Sequence, residues 1–150
     1  MFNLQEPGEH PYCGDGINLK HGFSYTPENL MNNGISFFNF HWKDLTNPSF
    51  EVILGITQVA DFMINQGGKI LIHCHAGMGR TALLVGTYLL YSGIAKDDKE
   101  AIAITKKSRS KCFGKGYNVD FMKTFYEKLK ELRMIFPFPP VPGQKKINLQ

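Results

Sequence analysis

The chain has 150 residues, a formal net charge of +4, and 43% hydrophobic and 13% aromatic residues. This length predicts one domain with a proper hydrophobic core, and the composition excludes an intrinsically disordered chain. No apolar run approaches the roughly 18 residues that a membrane span needs, and no opening segment resembles a signal peptide. The modest positive charge suits anionic partners but does not predict nucleic acid binding.

Three cysteines, Cys13, Cys74 and Cys112, are too irregularly spaced to form a disulfide framework. Free thiols favour a reducing compartment, the cytoplasm or the nucleus. Cys13 lies near His10 and His21 in a loop rich in glycine, proline and histidine, but the spacing is not typical of a zinc site. The sequence therefore predicts a surface loop without a metal.

Strands and helices alternate along the predicted chain. Residues 1–5 are typical of the end of a strand, and the aromatic and β-branched run at residues 35–40 indicates another. A short apolar run at residues 69–72, opened by two glycines, indicates a buried strand. This alternation predicts a single α/β domain with a short, mostly parallel central sheet flanked by helices.

Caps, breakers and apolar periodicity predict five helices. Thr26 is a typical N-cap before the first, and Pro48 is expected to open the second at its first helical position. Asp97 is expected to cap the fourth in a capping box with Glu100. The predicted spans are 26–34, 48–66, 81–91, 97–107 and 118–135. The predicted core stripe of the second helix comprises Val52, Ile56, Val59 and Met63, widened by Ile53, Ala60 and Ile64.

Residues 72–82, I-H-C-H-A-G-M-G-R-T-A, carry the strongest chemical signal. They join a predicted strand to a predicted helix through a glycine-bearing loop. The backbone N–H groups of such a loop and of a first helical turn bind anions, above all phosphate. The same donors favour the thiolate of Cys74. A buried cysteine beside a chance arginine explains the pattern less well, because glycine, histidine and cysteine seldom coincide in this way.

The side chains in this run have distinct predicted roles. Cys74, as a thiolate, is a nucleophile that needs no separate base. Arg80 presents a planar fork for two phosphoryl oxygens, and the two glycines permit close backbone approach. We expect His73 to orient the loop from behind and Thr81 to donate a hydrogen bond to the Cys74 sulfur. The predicted phosphate-binding loop consists of His75, Ala76, Gly77, Met78, Gly79 and Arg80.

The pattern H-C-x-x-G-x-x-R-[ST] in this run resembles the signature of the cysteine-dependent protein tyrosine and dual-specificity phosphatases. Flanking stretches resemble one branch, the protein tyrosine phosphatase domain-containing proteins, kin to the cell-division-cycle dual-specificity phosphatases. These stretches are N-L-Q-E-P-G-E-H at 3–10, F-S-Y-x-P-E at 23–28 and F-F-N-F-x-W-K-D at 37–44. The resemblance implies a phosphatase catalytic domain over residues 1–136, followed by a proline-rich, flexible tail at residues 137–150.

Asp44 comes just after the strand predicted at residues 35–40, a place where α/β folds put catalytic groups. It also matches the general-acid position of the resembling family. The implied reaction begins with attack of Cys74 on phosphorus while Arg80 and the loop hold the oxygens and Asp44 protonates the leaving oxygen. Asp44 next activates the water that cleaves the phosphocysteine. This chemistry needs no metal and no cofactor, and the implied partner is a phosphorylated protein.

Alternatives remain open for several residues. Asp44 is otherwise a solvated loop residue or a helix cap, for which Asn47 is better placed, and Asp15 and Asp61 are weaker acid candidates. In the resembling family the loop at residues 6–25 runs near the active-site rim, which makes substrate recognition an alternative to a plain surface role. The basic residues around the end of the fourth helix either complement its dipole or steer an acidic substrate. They are Lys106, Lys107, Arg109, Lys111 and Lys115.

Two departures from the family favour the first of two rival functions. Related phosphatases carry a glutamine after the fourth helix that positions the attacking water, whereas this chain offers only Asn118 as a substitute. The family also has a strand and a helix before residues 1–5, so either residues precede Met1 or the domain manages with fewer elements. A slow or inactive phosphoprotein-binding module is one rival. A phosphoinositide phosphatase is the other, although the loop lacks the lysines typical of such enzymes.

Overall fold

The computed structural model describes residues 1–14, 16–114 and 116–136, but not the side chain of Tyr117. Within these residues the strands are β1 (Phe2–Asn3), β2 (Phe38–Asn39) and β3 (Ile72–His73). The helices are α1 (Pro27–Asn32), α2 (Phe50–Asn65), α3 (Arg80–Tyr91), α4 (Asp98–Ser108) and α5 (Gly116–Ile135). The tail predicted at residues 137–150 lies outside the described residues, as do Asp15 and Lys115.

The three described strands form one parallel sheet with β1 between β2 and β3. Phe2 lies opposite Phe38 on one side and Ile72 on the other. The predicted α/β class and parallel sheet are confirmed, but the strands are shorter than the runs at 35–40 and 69–72. Both outer strands pair with β1, so the short central strand limits the length of the ladder. Because the three described strands are parallel, their carboxyl ends meet at one edge of the sheet.

Helix α2 differs from the prediction at its start and in its buried face. Ser49, rather than Asn47, is the N-cap, and its Oγ accepts a hydrogen bond from the Val52 N–H. Pro48 therefore precedes the helix instead of opening it. Val52, predicted to be buried, is 49% exposed, because the buried face is centred on Thr57. Thr57 is polar, so a search for apolar periodicity does not include it. That face comprises Ile53, Ile56, Thr57 and Ala60.

Helix α3 is the centre of the core and confirms the buried helix predicted over residues 81–91. It packs against α2, α4 and α5, and most of its residues are buried. Thr87 Oγ1 lies 3.2 Å from Thr57 Oγ1 of α2 inside this core. At Gly86 a Cβ would lie 2.9 Å from Met122 Cε, so glycine allows α5 to approach closely. Packing on several sides fixes the position of the α3 N-terminus, where Arg80 lies.

The remaining helices begin and end close to their predicted bounds. Asp97 accepts a hydrogen bond from the Glu100 N–H at 2.8 Å, and Glu100 in turn accepts one from the Lys96 N–H, which is close to the predicted capping box. Thr26 is the N-cap of α1, although its side chain makes no capping hydrogen bond. Within the described residues, no helix is both long enough and apolar enough to span a membrane.

Candidate active site

Cys74 directly follows β3 and begins a loop that ends at Arg80, the first residue of α3. The cysteine is only 8% exposed. Gly77 in the loop has a φ of +70°, and a Cβ there would lie 2.7 Å from Nη1 of Arg109. Another residue at this position would be strained by the positive φ and would displace the end of the Arg109 side chain. Gly79 has a φ of −97° and open space at its Cβ position, so the predicted conformational need for glycine is seen at Gly77 only.

His73 lies beside the loop and makes a contact through each ring nitrogen. The Tyr25 hydroxyl lies 2.7 Å from Nε2, and Nδ1 lies 3.3 Å from the carbonyl oxygen of Cys74. Burial is the larger influence and lowers the pKa of His73 in spite of the Cys74 carbonyl. A neutral ring that donates from Nδ1 to this carbonyl accepts from Tyr25 at Nε2. This arrangement is suited to the orienting role predicted for His73.

Arg80 is 3% exposed, and the protein surrounds one edge of its guanidinium group. Nη1 donates to the carbonyl oxygens of Leu4 and Trp42 at 2.8 and 3.0 Å. Nη1 and Nη2 also donate to the two carboxylate oxygens of Glu9 at 2.8 and 2.5 Å. These contacts hold the guanidinium plane and occupy the edge formed by Nη1 and Nη2.

The other edge of the Arg80 guanidinium, formed by Nε and Nη2, makes an ion pair with Asp44 but has no hydrogen bond at Nε among the described residues. Nε is buried and has no hydrogen-bond partner among the described residues. The nearest carboxylate oxygen on this side is Oδ1 of Asp44, 3.4 Å from Nε. Because a guanidinium presents parallel N–H donors along each edge, this one can donate to two oxygens of an anion.

Asp44 lies past the end of β2, on the loop that leads to α2. Its Oδ1 accepts a hydrogen bond from the Leu45 N–H at 2.9 Å, and its Oδ2 lies 3.2 Å from Nε2 of His10. Burial raises the pKa of Asp44, but Arg80, the Leu45 amide and His10 together hold it below its ordinary value of 3.8. Asp44 is therefore a carboxylate at neutral pH in the free protein.

A cleft of about 410 Å³ is lined mainly by the early loop at residues 6–25 and, on its other side, by His73, Cys74 and His75. The early loop thus lies at the rim of the candidate site, as the family resemblance implies. His75 is exposed and stacks on His10, with ring centroids 4.0 Å apart. Residues that line the cleft include Glu9, His10, Cys13, Tyr25, Cys74 and His75.

Three other candidates lie differently from their predicted positions or roles. Thr81 Oγ1 is buried and has no hydrogen-bond partner among the described residues, so the predicted bond to the Cys74 sulfur is not formed. Asn118 is buried in the first turn of α5 and is not among the described residues that line the cleft. Asp61 lies within α2 and accepts a hydrogen bond from Asn65. Asp44 is the acid candidate that this geometry favours.

Comparison with known proteins decides the family. Residues 7–131 match the sequence profile of the dual specificity phosphatase catalytic domain. The chain belongs to the dual specificity phosphatase family. It is 38% identical over 136 residues to protein tyrosine phosphatase domain-containing protein 1 of Mus musculus, covering 91% of this chain and 18% of that protein. It is 34% identical over 68 residues to tyrosine-protein phosphatase CDC14 of Saccharomyces cerevisiae, covering 45% of this chain and 12% of that protein.

The same comparisons confirm the predicted family and fold and show how much of each relative the chain covers. The chain spans less than a fifth of the length of either of these relatives. Among solved structures, PTPMT1 in complex with PI(5)P has a TM-score of 0.70 at 20% identity, covering 87% of this chain and 78% of that chain. At this identity the likeness shows a shared fold.

Glu9 and Tyr25 belong to the candidate site, although sequence analysis did not single them out. Both lie in stretches that resemble the family, N-L-Q-E-P-G-E-H and F-S-Y-x-P-E. A buried arginine needs a carboxylate partner, and that requirement signals that an acid must face Arg80. Nothing in the spacing distinguishes Glu9 from Glu6 as that acid.

We expect Glu9→Gln to destabilise the fold and to reduce its sensitivity to acid. Burial raises the pKa of Glu9, but hydrogen bonds from Arg80 and the Glu6 amide hold it below its ordinary value of 4.5. Because the unfolded chain binds that proton more tightly, the pair's contribution is present above pH 4.5 and is lost as the pH falls through the lowered pKa. At pH 7 the loss on substitution is expected to be about 3 kcal/mol, the cost of leaving a buried charge short of its partner.

Denaturant unfolding at a series of pH values measures this effect, with Glu6→Gln as the matched control in the same loop. The difference between Glu9→Gln and the natural chain is expected to shrink as the pH falls below 4.5. A difference that stays constant with pH would show that the ion pair is not its cause.

Proposed function

We propose that residues 1–136 form the catalytic domain of a phosphatase that acts on phosphorylated proteins through a phosphocysteine on Cys74. The observation that carries this proposal is the open Nε–Nη2 edge of Arg80, which lies beside Asp44 near a cleft that contains Cys74. A bound anion, a nucleophile and an acid are the parts that phosphomonoester hydrolysis requires. Since the nucleophilic thiol must stay reduced, we place the activity in the cytoplasm or nucleus.

In the first step the Cys74 thiolate attacks phosphorus, so an S–P bond forms as the P–O bond of the leaving group breaks. The open edge of Arg80, the loop amides and the α3 N-terminus donate to the phosphoryl oxygens. Glu9 holds the guanidinium plane while this happens. The dianionic phosphoryl group offsets the charge of Arg80, which raises the pKa of Asp44 and favours the protonated acid. Asp44 can then give its proton to the leaving oxygen.

In the second step Asp44, again a carboxylate, takes a proton from an attacking water. The S–P bond breaks, inorganic phosphate leaves and the Cys74 thiolate is restored. His10, hydrogen-bonded to Oδ2, holds the Asp44 side chain at the rim between the two steps. The same carboxyl group thus acts as the acid in the first step and as the base in the second.

We expect Asp44→Asn to lower kcat by about 10² to 10⁴-fold, the usual contribution of a general acid. The loss is expected to be larger for an alkyl phosphate or phosphotyrosine than for an aryl phosphate whose phenol is strongly acidic, because a good leaving group needs no proton. Steady-state rates across a series of aryl phosphates measure this dependence. Asp61→Asn, an acid-to-amide change within α2, is the control that should retain the natural rate. An equal loss of kcat for every aryl phosphate in the series would show that Asp44 is not the general acid.

The substrate class is the part of the proposal with a specific rival. PTPMT1 shares this fold, and its crystal structure contains PI(5)P. Here, however, the phosphate-binding loop carries His75 and Met78, both exposed, where lysines would favour a multiply phosphorylated headgroup. Arg109 does border the loop, since its Nη1 donates to the Gly77 carbonyl at 3.1 Å. Values of kcat/KM for phosphotyrosine, phosphoserine and PI(5)P substrates separate these classes. Faster turnover of the lipid would overturn the choice of protein.

A binding module that holds phosphoproteins without releasing phosphate is the second rival. It is motivated by Asn118, which is buried in α5 instead of lying among the described residues of the cleft. A single burst of product without continued turnover would favour this rival.

A further inference from the structure

His10, Cys13 and His75 each bring one ligand atom into a cluster in which all three atoms lie within 4.8 Å of one another. His10 and Cys13 belong to the early loop, whereas His75 belongs to the phosphate-binding loop. The cluster therefore bridges two walls of the cleft. Cys13 and His75 are exposed and His10 is half-buried, so the cluster is open to solvent. Neither step of the proposed hydrolysis uses the side chains of Cys13 or His75.

We propose that this cluster binds a thiophilic divalent cation, with Zn²⁺ as the best fit. Two imidazole nitrogens and one thiolate are preferred ligands of zinc, whereas Mg²⁺ and Ca²⁺ prefer oxygen. Zinc–ligand distances of about 2.0–2.3 Å place tetrahedral ligand atoms about 3.5 Å apart. The cluster reaches this spacing by side-chain rotations that bring His10 and His75 out of their stack and turn one nitrogen of each ring toward Cys13. Cys13 gives its proton to solvent on binding, and the fourth position stays open.

Asp44 strengthens the case for the site and links it to the cleft's chemistry. A metal-bound histidine usually donates its second ring N–H to a carboxylate, and His10 already contacts Asp44 through Nε2 at 3.2 Å. The rings of His10 and His75 stack face to face, inclined by 20°, so the two histidines already meet across the cleft. Bound metal would tie His75, next to Cys74, to the early loop across the cleft and would narrow the entry of substrate. Zinc is therefore expected to inhibit turnover.

Sequence analysis considered Cys13 and His10 as metal ligands but rejected them on spacing, because the third ligand comes from a distant segment. His10 and Cys13 are three residues apart, too little for a zinc motif by themselves. His21, the other histidine of the early loop, is not in the cluster; its Nε2 lies 3.2 Å from a carboxylate oxygen of Glu28. His21 is therefore a matched control for the two cluster histidines.

Titration with Co²⁺, followed by absorption, tests the site without any need for phosphatase activity. The natural chain is expected to show a thiolate-to-cobalt charge-transfer band that Zn²⁺ abolishes by displacing the cobalt. Cys13→Ser should lose the band, and His75→Asn should weaken zinc binding by about a hundredfold or more. His21→Asn and Cys74→Ser should keep both the band and the affinity. Absence of the band from the natural chain, or its loss in Cys74→Ser but not in Cys13→Ser, would overturn the proposal.

Inhibition of aryl phosphate hydrolysis tests the functional consequence, which rests on the proposed phosphatase activity. Zn²⁺, but not Mg²⁺, is expected to inhibit the natural chain, and Cys13→Ser should need about a hundredfold more zinc for the same inhibition. Equal zinc sensitivity of the two chains would place the inhibitory metal elsewhere. If the natural chain hydrolyses no aryl phosphate, the proposed function fails while the cobalt titration still decides the metal site.

Discussion

Cys74→Ser is expected to abolish turnover of an aryl phosphate, with a loss of at least about 10⁴-fold in kcat. A serine hydroxyl stays protonated at neutral pH and needs a base to become a nucleophile. Asp44 cannot be that base, because it must carry the proton for the leaving group. The loop amides and Arg80 are unchanged by this substitution. Binding of inorganic phosphate should therefore persist and can be measured by calorimetry.

The matched control for this prediction is Cys112→Ser. Cys112 is also buried, and its Sγ lies 3.9 Å from the Gly77 carbonyl oxygen, so the substitution changes a thiol near the same loop. Turnover is expected to survive it. Retained hydrolysis by a purified, folded Cys74→Ser chain would mean that Cys74 is not the nucleophile.

Arg80→Lys is expected to lower kcat/KM by about 10³-fold although it keeps the positive charge. A lysine ammonium cannot present two parallel donors, and removal of even one donor to a developing oxyanion costs about 10² to 10³-fold. The substitution also removes the bonds to the Leu4 and Trp42 carbonyl oxygens and to Glu9. We therefore expect a loss of stability of about 3 kcal/mol in addition to the loss of rate.

Two comparisons separate these effects of Arg80→Lys. Arg109→Lys changes another arginine beside the loop, whose Nη1 donates to the Gly77 carbonyl. This substitution should cost far less activity, because Arg109 is not proposed to bind the phosphoryl group. Glu9→Gln disturbs the support of Arg80 but keeps its fork, so its rate loss should be the smaller of the two. Rates are measured at a temperature where circular dichroism shows every variant folded. Equal rates for Arg80→Lys and the natural chain would remove Arg80 from the phosphate site.

The parts of the site that could be predicted from sequence are those that the chain holds together locally. Residues 72–82 contain the end of β3, the loop and the start of α3, so a contiguous pattern specifies their order in space. Asp44 could be placed mainly because it matches the general-acid position of the resembling family, and also because it lies on the loop after a strand, where parallel strands end at one edge. Local caps such as Asp97 with Glu100 were likewise visible in the sequence.

The parts that could not be predicted depend on contacts between distant segments. Glu9 contacts Arg80 and Tyr25 contacts His73, although the two residues of each pair are far apart in the sequence. No periodicity encodes which acid of the early loop faces a buried arginine. The buried face of α2 was placed wrongly at Val52 for a related reason, since Thr57 is buried through a hydroxyl contact with Thr87 of another helix.

Covalent trapping of the intermediate tests the central claim most directly. The natural chain is mixed with an aryl phosphate, quenched with acid during the first turnover, digested and examined by mass spectrometry. The account predicts one phosphoryl group on the peptide that contains Cys74, appearing with the first equivalent of phenol and decaying at the rate of phosphate release. Hydrolysis that proceeds with no phosphoryl group on Cys74 at any time would contradict it.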